Sequence, residues 1–252
     1  MPDKLLIVSG RVKNYNRLSY NYEDGNYIEI VNSDFSQSHC KEKVLDFPPR
    51  HRAFGGQIGE LNIICGGKYN STTIHDTCSS ISNSGEVKKN FSTLQIARYN
   101  AASAIWNNSL YISGGCIPLI SKGSKRTTKS AEIIVQNNPP KINKTKDLTQ
   151  PLSGHCAVLL RTEEIMIIGG ANLNGDQSKS YFVDPKENFK SSDGPSMTYK
   201  RSGHGCGSTV FNDEDYVMVT GGWGATNKTE LYYSGNKNWT ERKLMTVLNT
   251  PT

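Results

Sequence analysis

Two short stretches put imidazole beside thiol: His155 next to Cys156, and His204 two residues before Cys206. Imidazole and thiolate suit zinc or copper, so the pairs raise metal binding as one reading. The other reading is that the chain repeats and the pairs are copies of one structural position, which needs no metal, and no metal site is expected. Arginines open equivalent stretches at Arg50, Arg98 and Arg201. Five planar donors on each can meet a ligand or tie blades together through backbone carbonyls. The remaining histidines, His39, His51 and His75, form no pattern with these, and neither a nucleophile elbow nor a phosphate loop is present. Catalysis needs convergent titratable groups. None is visible, so the chain is expected to be no enzyme, with no catalytic residue and no cofactor.

The elements that must position these residues repeat. Five apolar runs end in a glycine turn: LLIVSG at 5–10, LNIICGG at 61–67, LYISGG at 110–115, IMIIGG at 165–170 and YVMVTGG at 216–222. The glycines are Gly10, then the doublets Gly66–Gly67, Gly114–Gly115, Gly169–Gly170 and Gly221–Gly222, spaced by 57, 48, 55 and 52 residues. Self-similarity at about fifty residues signals a propeller or similar array. A strand ending where neighbouring units crowd together must turn without a β-carbon, which is the work glycine does.

Alternation and turn signals divide the last repeat into four strands, 203–211, 215–222, 229–235 and 238–245, joined by short links. Such a meander buries neither face alone, so copies must stack. The fourth repeat reads SGHCAVLL, IMIIGG, KSYFVDP and a weaker NFK; the third NAASAIW, LYISGG, SAEIIVQ and roughly 142–148; the second AFGGQI, LNIICGG, DTCSSIS and VKKNFS. The first has LLIVSG, YIEIVNS and CKEKVL but no opening strand before Leu5. One domain over 1–252 is expected, with repeats near 1–49, 50–97, 98–150, 151–200 and 201–252. Either it is part of a larger ring, which is the preferred reading, or the tail 246–249 supplies the missing strand of the first repeat.

The net charge of +6 is spread along the chain, and 35% of residues are apolar. No run approaches the roughly 20 apolar residues of a membrane span, and the N-terminus does not read as a signal peptide. Lysines and Arg126 cluster at 122–146, yet without the aromatic residues that stack on bases, so nucleic acid is not an expected partner. The six cysteines, Cys40, Cys65, Cys78, Cys116, Cys156 and Cys206, permit fifteen pairings into three disulfides or remain buried thiols. Six N-x-S/T sequons, at Asn70, Asn90, Asn107, Asn143, Asn227 and Asn238, slightly exceed chance. Together they favour a secreted or ectodomain glycoprotein over a cytoplasmic protein.

The glycine doublet after an apolar strand, Tyr233 and Trp239 six residues apart, their degenerate copy Val183 and Phe189, and an arginine opening the next repeat together resemble the kelch-repeat β-propellers, a superfamily that includes galactose oxidase. Repeats one to three lack the aromatic pair, and Leu152 stands where repeat four should have arginine. The resemblance implies an all-β, kelch-type propeller of four-stranded antiparallel blades, about five in number with the first incomplete, acting mostly as a protein-binding platform. It also implies an alternative, a metal-dependent oxidase or mutarotase-like enzyme. The two histidines and two tyrosines of the oxidase's copper site cannot be mapped onto this chain.

In a meander, alternate turns lie at opposite ends, so the loops after the doublets share a face with the links between repeats. That face is the expected recognition surface for a protein, or failing that a glycan, because loops on a rigid scaffold carry binding residues. Its candidates are Lys68, Tyr69, Arg98, Tyr99, Lys125, Arg126, Arg201, His204 and Trp223, rich in the residue types that dominate interfaces.

Overall fold

The computed structural model describes residues 50–69, 73–82, 86–118 and 126–243, and the backbone of strands within 4–44. Every regular element among them is a strand. Sheet 1 is formed by Lys4–Val8, Tyr27–Asn32 and Lys43–Val44. Sheet 2 comprises Phe54–Ile58, Leu61–Cys65, Thr77–Ser82 and Val87–Thr93, and sheet 3 comprises Ala102–Trp106, Ser109–Ser113, Ala131–Val135 and Lys141–Lys144. Sheet 4 comprises Cys156–Leu159, Ile165–Ile168, Ser180–Asp184 and Lys190–Asp193, and sheet 5 comprises Gly205–Phe211, Glu214–Thr220, Thr229–Tyr233 and Asn238–Arg242. In each four-stranded sheet, spatial order equals chain order and all pairings are antiparallel.

Expected strand positions and observed ones coincide in sheets 2 and 5, and differ at two outer strands. The fourth strand of sheet 4 starts at Lys190, because Asn188 and Phe189 take positive φ (55° and 58°) in the hairpin before it. That of sheet 3 covers Lys141–Lys144 and stops before Thr145. Sheet 1 has the three strands expected and pairs in the order first, second, third. Hairpins that periodicity missed are inserted after the first strand of sheet 1 and after the second strand of sheets 3 and 4: Arg11–Asn16 with Ser19–Asp24, Cys116–Ile117 with Arg126–Thr127, and Ala171–Asn172 with Gly175–Asp176. Gly10, Lys125, Cys40 and the tail 246–249 lie outside the described residues.

Sheets 2 to 5 stack face on face, their first strands side by side in chain order. Between sheets 2 and 3 lie Phe54, Ile63 and Cys65 with Leu110, Ile112 and Ile134. Tyr111, Ile133 and Ala104 meet Ile165, Ile167 and Tyr181 between sheets 3 and 4. Met166, Ile168 and Val158 meet Val217, Val219 and Tyr232 between sheets 4 and 5. This explains the unbroken apolar runs before the doublets: Ile165–Ile168 is buried at every position because alternate side chains enter layers on opposite faces. Such a stack is compatible with a propeller-like β fold.

The aromatic pairs take different places from one another. Trp239 stands opposite Tyr232 and packs on it at 5.6 Å, whereas Tyr233 points to the other face and stacks on Tyr216 at 5.0 Å. Val183 and Phe189 share one layer, where Phe189 stacks on Tyr111 at 5.3 Å and meets Trp106 edge-on. Two disulfides brace the array. Cys65–Cys78 joins the second and third strands of sheet 2, and Cys156–Cys206 joins the first strands of sheets 4 and 5. Cys116 is a buried free thiol.

Candidate functional site: the loop face and its repeated junction

One junction recurs along the loop end of the stack. The first glycine of each doublet donates its N–H to the carbonyl of the residue entering the third strand: Gly66 to Thr77, Gly114 to Ser130, Gly169 to Lys179 and Gly221 to Lys228. The second glycine donates across to the next sheet, from Gly67 to Arg98 O at 2.9 Å, Gly115 to Leu152 O at 2.8 Å and Gly170 to Arg201 O at 2.9 Å. A β-carbon on Gly66 or Gly114 would stand 2.4 Å from the same carbonyl oxygens, and both glycines of each doublet have positive φ. Close backbone approach and left-handed conformation therefore both demand glycine.

The residue after each doublet then pairs with the residue after each opening position: Lys68 with His51, Cys116 with Tyr99, Ala171 with Ser153 and Trp223 with Ser202. These pairs place the post-doublet loops and the inter-sheet links on one face. One step further, a chain of backbone bonds runs from sheet to sheet, Gly203 N–H to Gly154 O at 2.7 Å, Gly154 N–H to Asn100 O at 2.8 Å, and Asn100 N–H to Arg52 O at 3.0 Å. All four residues are left-handed, with φ between 55° and 61°. Periodicity missed this device because only two of the four are glycine; the pairs Gly154 and Gly203, two residues after Leu152 and Arg201, were its one legible trace.

The opening arginines clamp the sheets they introduce. Arg50 Nη1 donates to Gly66 O and Thr77 O, Arg98 Nη1 to Gly114 O and Ser130 O, and Arg201 Nη1 to Gly221 O and Lys228 O. Arg98 also pairs with Glu132, and Arg201 with Glu230 at 2.6 Å, all four side chains being almost fully buried. The carboxylates in turn accept backbone N–H groups of the links, Gln95 on Glu132 and Thr198 on Glu230. Burial pulls the Arg98 guanidinium below its ordinary value against the opposing pull of Glu132, and burial lowers Arg50 to about 10. Arg98 and Arg201, placed among the binding residues by sequence, thus have their Nη donors engaged inside the fold. The glutamates were missed, although the third strands of the repeats opened by Arg98 and Arg201 both carry Glu at their second position, at 132 and 230.

The histidines sit at the same junction. His155 lies against Gly114 and Gly170, with Ser113 Oγ 3.0 Å from its Nε2, and His204 lies against Gly169 and Gly222. Both are held neutral. Burial first, then His204 and Arg98, push His155 down to about 3, and burial with Arg201 pushes His204 to about 4. Cys156 and Cys206, considered as soft ligands beside them, are bonded to each other, and no group of three or more His, Cys, Asp or Glu is disposed to hold a metal among the described residues.

The surface itself is carried by other side chains. Trp223 is 77% exposed, Tyr69 46%, and Leu173, which sequence did not single out, 88%. Arg126 is exposed, Lys68 is half-buried with its Nζ 5.0 Å from the Tyr99 ring, and Tyr99 is buried, its hydroxyl pushed up to about 12 by burial and by Cys116. The loops bearing Leu173 and Trp223 meet through Asp176, which accepts from Ser202 Oγ at 2.6 Å and lies close to Gly224. A cavity of about 530 Å³, lined by Ser80, Phe91, Gln136 and Asn137, opens among the hairpins rather than on this face. No family model and no curated protein matches the chain.

Proposed function

We propose that the chain is a non-catalytic interaction scaffold, a kelch-type propeller array spanning 1–252, that binds a protein partner through its loop face. The observation that carries this reading is the pairing of large exposed apolar side chains with a rigid base: Trp223 and Leu173 project from loops whose backbones are locked by the junction bonds. Exposed tryptophan and leucine on loops joined through Asp176 are the kind of surface that marks a contact site. The projecting shape suits a macromolecule better than a small ligand, which favours a concave site. The two disulfides are compatible with an extracellular setting, and Asn90, Asn107, Asn227 and Asn238 are exposed for glycan attachment.

A photo-crosslinking residue at position 223 identifies the partner, and titration then measures its affinity for the wild type and for W223A/L173A/Y69A. The triple variant should keep its unfolding midpoint and lose at least about tenfold in affinity, since hot-spot truncations cost about 2 kcal/mol or more. Undiminished affinity with unchanged folding would overturn the assignment of the face.

A further inference from the structure

The layer between sheets 2 and 3 is built from smaller residues than the layer after it. Four residues before the second glycine of the doublet stand Ile63 in sheet 2 and Tyr111 in sheet 3. Their partners on the third strands are Ser80 and Ile133. The residue just before the fourth strand of the following sheet is Pro140 in sheet 3 and Phe189 in sheet 4. Between sheets 3 and 4, Tyr111, Ile133 and Phe189 fill the layer, the Phe189 ring stacking on Tyr111. Between sheets 2 and 3, Ile63, Ser80 and Pro140 take the same places, and the cavity of about 530 Å³ lies here.

Its lining is more than an underpacked core. Ser80, 3% exposed, and Ser82 bring hydroxyls to a wall shared with Phe91 and Leu61. The exposed side chains of Glu86, Lys88, Asn137 and Asn138 form the rim, Lys88 directly across the strand pair from Ser80. Asn108 accepts the Gly59 N–H at 2.7 Å and donates to Gln136 Oε1 at 2.6 Å, which ties a hairpin of sheet 2 to two of sheet 3 and fixes the width of the cleft. The volume is that of a small-ligand site. A bare aromatic ring would suit the apolar wall but would cover the Ser80 hydroxyl without giving it a partner, which costs free energy. A ring that carries hydroxyls answers both needs. Its C–H face lies on Phe91 and Leu61, and its hydroxyls meet the serines, the amides, a carboxylate acceptor and an ammonium donor.

We propose that this cleft is a saccharide-binding site, taking a pyranose ring in the place that Phe189 fills in the next layer. It lies among the hairpins and does not rest on the partner surface at Trp223.

Titration of ¹⁵N-labelled protein with glucose, galactose, mannose, N-acetylglucosamine or N-acetylneuraminic acid tests it. At least one sugar should shift the amides of Ser80, Lys88 and Asn137 saturably, with half-saturation at about 1–10 mM for a ligand of this size, while the Trp223 amide stays in place. S80I supplies the bulk that Ile133 gives the next layer; it should abolish these shifts and raise the unfolding midpoint. N137A/N138A, at the exposed rim, should fold as the wild type does and weaken binding at least about threefold. The proposal is overturned if none of these sugars gives a saturable shift at the cleft, or if sugar binding is undiminished in S80I. It is equally overturned if indole shifts the cleft amides and no sugar does, which would make the cleft a pocket for an aromatic ring.

Discussion

Arg98 and Arg201 illustrate how a residue that looks like a ligand-binding group becomes part of the frame. Each guanidinium is buried with a glutamate and two carbonyls, so deleting one partner strands a charge in a dry layer. E132Q or R98A should therefore cost about 3–5 kcal/mol in urea unfolding, while an apolar double replacement such as R98M/E132L should cost much less. His155 and His204 yield a pH prediction. Both are neutral when folded, with values near 3 and 4, whereas in the unfolded chain each takes up a proton below about 6.5. The unfolded state binds more protons through that window, so stability should be full above about pH 6.5 and fall steadily as pH drops toward 4. Urea midpoints measured from pH 7.5 to 4.5 check this, and H204F should flatten the slope. Arginine was legible as a tie through carbonyls in the sequence. Its carboxylate partner was not, because a glutamate inside a strand reads as a solvent-facing residue until the layer above it is known.

At the scale of the element, the doublet and its strand were legible nearly to the residue, since an apolar run plus two glycines encodes burial on both faces followed by a left-handed turn. The small inserted hairpins were not legible, their strands being only two to six residues long. The doublet also makes a graded prediction. G114A places a methyl 2.4 Å from the Leu152 carbonyl at a φ of +60°, so it should break the inter-sheet bond as well as strain the backbone. G175A has a φ of +93° but open space around it, and should incur only backbone strain, of about 1–3 kcal/mol. Thermal unfolding of the two variants should rank them in that order; equal losses would mean that the junction adds nothing beyond conformation.

Across the whole molecule, the Cys156–Cys206 bond closes a separation of 50 residues and links two sheets, whereas Cys65–Cys78 closes 13 within one. On chain entropy alone the first should stabilise by about 4 kcal/mol and the second by about 3. C156S/C206S should lower the urea midpoint more than C65S/C78S, and only the former should loosen sheet 5 in hydrogen exchange. The loop face makes the converse prediction already stated: changes at Trp223 and Leu173 should leave these stabilities alone.

The sequence by itself determined a repeating all-β chain, the boundaries of most strands and the end of each sheet where loops gather, because periodicity and glycine report local backbone needs. Only the tertiary structure decided which arginines and histidines are interior, which cysteines pair, and that Leu173 and Trp223 are both left in the open. Those outcomes depend on what the neighbouring sheet lays against each residue, and contacts about fifty positions away leave no mark on local pattern.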